Sequence, residues 1–143
     1  MDTNSLSEQY QRRFSANEVY RDAVWQRILL RRLQNWVGEN QVVLDLGCGW
    51  GEFSRNVRAD KIYAMDMNPD AQQLLGASAE FLCQDCSALW PLEDNSLDVV
   101  FSSNFLEHLP DKAAVEATLV QAKRCLKPKG RIILLGPNLR FVG

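Results

Sequence analysis

The segment Val-Val-Leu-Asp-Leu-Gly-Cys-Gly-Trp-Gly at residues 42–51 constrains the fold of this 143-residue chain more than any other stretch. It begins with a continuous apolar run, which is typical of a strand buried on both faces of a parallel sheet. Gly47, Gly49 and Gly51 follow at alternate positions, and glycine lets a backbone turn tightly and pass close to a ligand. The segment therefore predicts a parallel sheet with a binding turn at the carboxyl end of one strand.

Strand and helix patterns alternate along the rest of the chain. Apolar residues at three- and four-residue steps predict an amphipathic helix over residues 17–36, which Gly38 ends; the apolar positions are Val24, Ile28, Leu29, Leu33 and Trp36. Strands are predicted at residues 41–46, 61–67, 79–83, 97–102 and 131–135. Further helices are predicted at residues 52–57, 68–75 and 111–126. This alternation predicts an α/β fold with helices on both faces of a parallel sheet.

Composition and charge narrow the class of protein. Residues 1–15 are polar and predict a flexible leader, whereas residues 16–143 are long enough for one domain. The formal net charge of −2, without a basic tail, disfavours nucleic acid or an anionic membrane as a partner. No apolar run approaches the ~20 residues of a membrane helix, and the first residues lack a secretory signal pattern. Four scattered cysteines then predict a cytoplasmic protein with reduced thiols and no metal site.

Acidic residues lie at the ends of three successive predicted strands. Asp45 precedes the glycine turn, where a carboxylate repels a pyrophosphate and attracts a ligand that carries an ammonium and a sulfonium. Asp66 ends the second strand, where an acid accepts hydrogen bonds from both ribose hydroxyls. Asp85 follows the third strand and is placed to accept a hydrogen bond from an adenine amino group. Together these acids predict one elongated nucleoside ligand, and S-adenosylmethionine (SAM) has that chemistry.

Each acid also has a purely structural interpretation, and these alternatives stay open at this point. Asp45 could cap the turn that follows it, and Asp66 could hydrogen-bond to the turn at Asn68 and Pro69. Asp85 could belong to an ordinary loop, because aspartate favours loops.

The residues around these acids resemble a known family. Asp45–Gly51, Asp66, Gln84-Asp85 and Asn104–Leu109 are similar to the motifs of class I SAM-dependent methyltransferases, especially the type 11 small-molecule group, and the resemblance runs over residues 40–138. It implies a Rossmann-like, doubly wound parallel sheet with strand order 3-2-1-4-5. It also implies an SN2 transfer of the methyl group from SAM to an oxygen, nitrogen or carbon atom of a small-molecule acceptor, with S-adenosylhomocysteine as the product.

The same resemblance implies which residues form the cofactor site: Asp45, Gly47, Cys48, Gly49, Gly51, Asp66, Met67, Asp85, Cys86, Ser103 and Asn104. The backbone of the glycine turn would contact the methionine part of SAM. Met67 would lie against the adenine and the backbone of Cys86 against the edge of its ring. Ser103 and Asn104 would face the methyl donor.

Two further features have open roles. His108 is the only histidine, and it could take a proton from an acceptor hydroxyl near neutral pH. SAM is already activated, however, so the alternative is that His108 only helps to orient the loop, because a well-placed acceptor can suffice. The helix at residues 17–36 is predicted mainly to pack, although its leader, with Tyr10, Phe14 and Tyr20, could fold over the cofactor as a lid.

The chain departs from the family pattern at its C-terminal end. Family members continue past the fifth strand with a helix and an antiparallel pair of strands, whereas this sequence stops at Gly143. We therefore expect a fragment of a longer protein, or a chain that pairs its exposed fifth strand with another copy. A non-catalytic SAM-binding module is the alternative function. An NAD-dependent oxidoreductase is disfavoured by Asp45 and by Gly-Cys-Gly-Trp-Gly in place of Gly-x-Gly-x-x-Gly.

Overall fold

A parallel sheet runs through the centre of the computed structural model, which describes residues 17–138. Its strands are β1 (Val42–Leu46), β2 (Lys61–Asp66), β3 (Glu80–Cys83), β4 (Leu97–Ser103) and β5 (Leu126–Leu135). Neighbouring strands are parallel and lie in the order β3-β2-β1-β4-β5, which confirms the predicted order 3-2-1-4-5. The leader predicted over residues 1–15 lies outside the described residues.

Helices precede and connect these strands. They are α1 (residues 17–37), α2 (Glu52–Asn56), α3 (Ala71–Leu75) and α4 (Lys112–Cys125), with a 3-10 turn at Leu106–His108. α1 ends where Gly38 takes a φ of 87°. α4 begins where the Asp111 side chain accepts a 2.8 Å hydrogen bond from the Ala114 N–H. Within residues 17–138, no helix is both long and apolar enough to cross a membrane.

The predicted buried face of α1 is partly wrong. Three residues assigned to that face are between 39% and 50% exposed: Val24, Ile28 and Trp36. The side chains that pack on the sheet instead follow four-residue steps: Trp25, Leu29, Leu33 and Val37. A π-helical turn at Leu29–Leu33 accounts for Trp36, because the wider turn moves the next buried position to Val37. Val24 and Ile28 precede that turn and lie beside the buried stripe.

Both faces of the sheet are buried, as the continuous apolar strands predict. Leu44 and Leu46 of β1 point into the core beside α4, whereas Val43 points into the core beneath α1. On the α1 side the rings of Phe53 and Phe101 stack with their centroids 3.7 Å apart. Each fully buried side chain of this size stabilises the fold by about 1.5–3 kcal/mol, so these two layers hold the strand ends in place.

β5 lies at one edge of the described sheet and starts earlier than predicted. Leu126 pairs with Leu97 directly after α4, and the chain then bulges before Arg131 pairs with Val99. Ile132 and Leu134 are 39% and 46% exposed, which leaves an apolar surface beside an unpaired strand edge.

We expect the chain to self-associate through β5, because an exposed apolar edge strand is a template for pairing. Leu134→Lys should restore a monomer by placing a charge on that surface. Val120→Lys is the matched control, because Val120 is 62% exposed but lies on α4. Multi-angle light scattering at high protein concentration measures the mass, and a strictly monomeric wild-type protein would contradict the expectation.

Candidate functional site

The carboxyl ends of β1, β2 and β4 open into a cavity of about 400 Å³, here called the first cavity. Eight predicted site residues line it: Asp45, Gly47, Cys48, Gly49, Asp66, Ser103, Asn104 and His108. Three further predicted site residues, which follow β2 and β3, line a second cavity of about 370 Å³: Met67, Asp85 and Cys86. Asp66, Phe105 and His108 line both cavities, so the two adjoin. The structure thus brings together every predicted site residue except Gly51.

The glycine turn is shaped by close contacts as well as by dihedral angles. Gly47 has a φ of 70°, and its N–H donates a 2.9 Å hydrogen bond to the Met65 carbonyl. A β-carbon at Gly47 would lie 2.2 Å from the Phe105 ring, so only glycine fits beneath that ring. At Gly49, with a φ of 51°, a β-carbon would meet nothing within 4 Å. The turn is therefore packed at Gly47 and open to the first cavity at Gly49.

Gly51 has a packing role, and its predicted role in binding stays a prediction. It is buried, precedes α2 with a φ of 78°, and is not among the residues that line either cavity. A β-carbon there would lie 2.8 Å from the Leu75 side chain. The sequence pattern cannot separate this packing role from binding, because both require glycine.

Gly47→Ala should destabilise the protein by about 2–4 kcal/mol, the sum of left-handed backbone strain and overpacking against Phe105. Gly49→Ala is the matched control, since it adds backbone strain alone and should cost about 1 kcal/mol. Urea unfolding measures both free energies. Equal losses at the two positions would show that the Phe105 contact does not matter.

Asp45 lies beneath the first cavity rather than at its mouth. It is 3% exposed, and the Ser54 hydroxyl donates a 2.7 Å hydrogen bond to its Oδ2. Burial raises the pKa of Asp45 to about 7, with smaller contributions from the charges of Glu52 and Asp66. The hydrogen bond joins Asp45 to α2, so it differs from the turn cap considered as an alternative.

Asp66 stabilises the local backbone through hydrogen bonds and also lines both cavities. Its Oδ2 accepts a 3.0 Å hydrogen bond from the Gly49 N–H, and its Oδ1 accepts a 2.9 Å bond from the Asn68 N–H. The turn at Asn68 predicted as the structural alternative is therefore present. It leaves the half-buried carboxylate at the junction of the two cavities.

The loop after β3 also combines local structure with the second cavity. Both the N–H and the hydroxyl of Ser87 donate 2.8 Å hydrogen bonds to Asp85 Oδ1, and these bonds lower the pKa of Asp85. Cys86 is 4% exposed, its Sγ lies 3.4 Å from Thr118 Oγ1, and burial raises the pKa of its thiol. Asp85 thus has the loop role considered above and lines the second cavity, while the Cys86 side chain packs in the core. Within residues 17–138, no group of three or more His, Cys, Asp or Glu is placed to hold a metal ion.

The segment after β4 places polar groups beside the junction of the cavities. Asn104 takes a φ of 49°, and its N–H donates a 2.9 Å hydrogen bond to the Leu135 carbonyl. Its side chain lies 3.4 Å from the Ser103 hydroxyl. His108 is exposed in the following 3-10 turn and lines both cavities.

Seven lining residues of the first cavity were not among the predicted site residues: Arg21, Trp25, Trp50, Glu52, Phe53, Phe101 and Phe105. Arg21 and Trp25 come from α1, and no pattern within a helix shows that its N-terminal half covers the strand ends. Glu52 directly follows the glycine turn, and Phe105 lies inside the motif at residues 104–109, so their positions offered a signal that was not used.

α1 therefore does more than pack against the sheet. The Arg21 guanidinium lies 2.5 Å from Glu52 Oε1 and 5.5 Å from the centre of the Trp50 ring. Arg55 of α2 donates a 2.8 Å hydrogen bond to Asp22 and so ties the two helices together. Tyr10 and Phe14, named with the lid, lie outside the described residues, and Tyr20 is 71% exposed and does not line the first cavity.

Residues 44–134, which include the glycine turn and both cavities' central residues, match the family described as "Methyltransferase domain", type 11. The chain belongs to this family. The match confirms the resemblance to class I SAM-dependent methyltransferases, a family whose methyl donor is SAM.

Three relatives illustrate the similarity. A 2-methyl-6-phytyl-1,4-hydroquinone methyltransferase of Synechocystis is 34% identical over 68% of this chain and 32% of its own length. A SAM-dependent methyltransferase structure from Archaeoglobus fulgidus is 27% identical, with a TM-score of 0.66 over 82% of this chain and 54% of its own. A Haemonchus contortus phosphoethanolamine N-methyltransferase, solved with phosphoethanolamine and S-adenosylhomocysteine, is 25% identical, with a TM-score of 0.59 over 67% of this chain and 22% of its own.

The chain spans less than half the length of the curated relatives it matches, between 20% and 46%. The family match over residues 44–134 covers most of the sheet and every lining residue of the two cavities except Arg21 and Trp25.

Proposed function

We propose that the two adjoining cavities form one groove for SAM, and that the protein transfers its methyl group to a small-molecule acceptor. The methionine end lies in the first cavity along the glycine turn, and the adenine lies in the second cavity beside Asp85 and Met67. Asp66 accepts hydrogen bonds from the ribose between them. The observation that supports this most is the position of Asp66 at the junction, because an extended nucleoside must pass it.

The charge of the first cavity supports a cationic cofactor. Its lining contains the carboxylates of Glu52 and Asp66, with Asp45 largely protonated below about pH 7, against one arginine, Arg21. Such a lining attracts an ammonium and a sulfonium, and it repels the pyrophosphate of a nicotinamide dinucleotide. An NAD-dependent oxidoreductase is correspondingly disfavoured.

The reaction itself needs little from the protein beyond placement. When bound, SAM would supply a methyl group on a sulfonium, and an acceptor lone pair in line with the carbon–sulfur bond would displace S-adenosylhomocysteine, which would keep the electron pair of that bond. Holding the acceptor atom about 3 Å from the methyl carbon in this line supplies most of the catalysis. Ser103, Asn104 and His108 surround this position in the proposed groove, and His108 is the residue placed to take a proton from the acceptor.

The experiment is titration calorimetry of the protein with SAM, S-adenosylhomocysteine and NAD, followed by an assay for S-adenosylhomocysteine formation with candidate acceptors. We expect binding of the first two ligands only. Tight NAD binding would overturn the cofactor proposal. Binding of SAM without turnover on any acceptor would favour the alternative of a non-catalytic SAM-binding module.

A further inference from the structure

Arg55 of α2 is a largely buried arginine that lies outside the proposed groove. Its side chain is 15% exposed, and the residue lines neither the first cavity nor the second. Taking a guanidinium out of water is unfavourable unless its N–H groups find directed partners. The groups that hold this guanidinium therefore indicate what it does for the protein.

The Arg55 guanidinium joins three separate segments of the chain. Its Nη1 donates hydrogen bonds to the carbonyl of Trp50 in the glycine turn and, over 3.0 Å, to the carbonyl of Leu74 in α3. Its Nη2 donates a 2.8 Å hydrogen bond to the Asp22 carboxylate of α1. Asp22 balances the charge, while the two carbonyls fix where the turn lies relative to α3.

Trp50 is the point at which this network meets the first cavity. It lines that cavity and stands between Gly49 and Gly51 in the turn. Gly49 is open to the cavity, whereas a β-carbon at Gly51 would lie 3.1 Å from Arg55 Nη1. Arg55 thus contacts the backbone of the turn directly, without lining the cavity that the turn borders.

We infer that Arg55 is a positioning residue, whose guanidinium holds the glycine turn in the conformation that receives the methionine part of SAM. The inference rests on the proposed function and deepens it, because it assigns the shape of the first cavity to a residue that does not touch the ligand. An arginine is suited to this role, since its planar fork of N–H groups binds several acceptors in fixed directions. The compact ammonium of lysine cannot reproduce that arrangement.

Arg55→Lys tests the inference, because it keeps the positive charge beside Asp22 and removes the planar fork. If the turn then holds the binding conformation in about one tenth of the molecules, S-adenosylhomocysteine should bind about tenfold more weakly in titration calorimetry. In the ligand-free protein, the NMR signal of the Gly49 amide should also shift. That N–H donates to Asp66, so a shift reports a change in the turn rather than a lost contact with Arg55.

Arg124→Lys is the matched control. Arg124 likewise donates to two carbonyls, those of Trp90 and Leu92, and to the carboxylate of Asp94, but it lines neither cavity. Its substitution removes a similar set of hydrogen bonds and should change the affinity for S-adenosylhomocysteine less than about twofold, with the Gly49 signal in place. An equal loss of affinity in this control would show that the effect of Arg55→Lys is one of stability alone.

Asp22→Asn separates the turn from α1, because it removes the ion pair and keeps the contacts of Arg55 with the two carbonyls. It should weaken binding of S-adenosylhomocysteine less than about threefold. A loss as large as that of Arg55→Lys would show that Arg55 acts through α1 and would overturn its assignment to the turn.

The remaining outcomes separate this inference from the proposed function. An Arg55→Lys protein with wild-type affinity, or with an unmoved Gly49 signal, would overturn the inference while the proposed cofactor stands. A wild-type protein that does not bind S-adenosylhomocysteine would overturn the proposed function and the role of Arg55 in binding. The Gly49 signal would then decide by itself whether Arg55 positions the turn.

Discussion

Asp66→Ala should weaken SAM binding by about 30- to 1000-fold, equivalent to about 2–4 kcal/mol. The carboxylate lies where the two cavities adjoin, and in the proposed groove it accepts two hydrogen bonds from the ribose. Its removal also leaves the Gly49 and Asn68 N–H groups without their present acceptor. Titration calorimetry with SAM measures the loss, and circular dichroism checks that the variant is folded.

Asp70→Ala is the control for Asp66→Ala. Asp70 is an exposed acid four residues away that lines neither cavity of the proposed groove. The Asp70→Ala substitution removes the same charge from the same turn and should leave the SAM affinity close to that of the wild type. An Asp66→Ala protein with unchanged affinity would refute the proposed ribose site.

Asp45→Asn should stabilise the ligand-free protein at alkaline pH by up to about 4 kcal/mol. Burial raises the pKa of Asp45 from 3.8 to about 7, so the native state holds a proton that the unfolded chain releases. Stability from this group is fully present below pH 3.8 and is lost as the pH rises to about 7, by about 1.4 kcal/mol per unit. Asparagine stays neutral, and its amide oxygen can still accept the Ser54 hydrogen bond.

The measurement is the free energy of urea unfolding of both proteins at several pH values. The difference between variant and wild type isolates Asp45, because Glu52 and Asp66 are present in both. We expect the difference to grow between about pH 4 and 7 and then to level off. Parallel pH profiles would mean that Asp45 is not protonated in the native state.

The strands were predictable because their signal is local and strong. β1 and β4 each contain a run of three apolar residues, and the predicted bounds lie within one residue of the observed ones. α1 was predicted in extent but not in orientation, since the π-helical turn at Leu29–Leu33 rotates its C-terminal half. Such a turn depends on packing against the sheet and leaves no pattern in the sequence.

The candidate site was likewise predictable from the sequence only in part. Asp45, Asp66 and Asp85 were found because each lies at or just after the carboxyl end of a strand, and parallel strands bring these ends to one edge. Gly51 was assigned to binding because a packing glycine and a binding glycine look alike in sequence. Arg21 was missed because its place over the glycine turn depends on how α1 crosses the sheet.

The sequence by itself determined the alternation of strands and helices, the binding edge of the sheet and the acids along it, because those follow from apolar runs and turn residues close together in the chain. The strand order followed from the resemblance to the family. Only the tertiary structure decided what each acid does. Burial of Asp45 against Ser54 suppresses its charge, and two backbone N–H groups orient Asp66. Packing of α1 beside the glycine turn places the Arg21 guanidinium against the buried Glu52 carboxylate. Charge and hydrogen bonding at a site depend on desolvation by residues distant in sequence, and no local pattern encodes that.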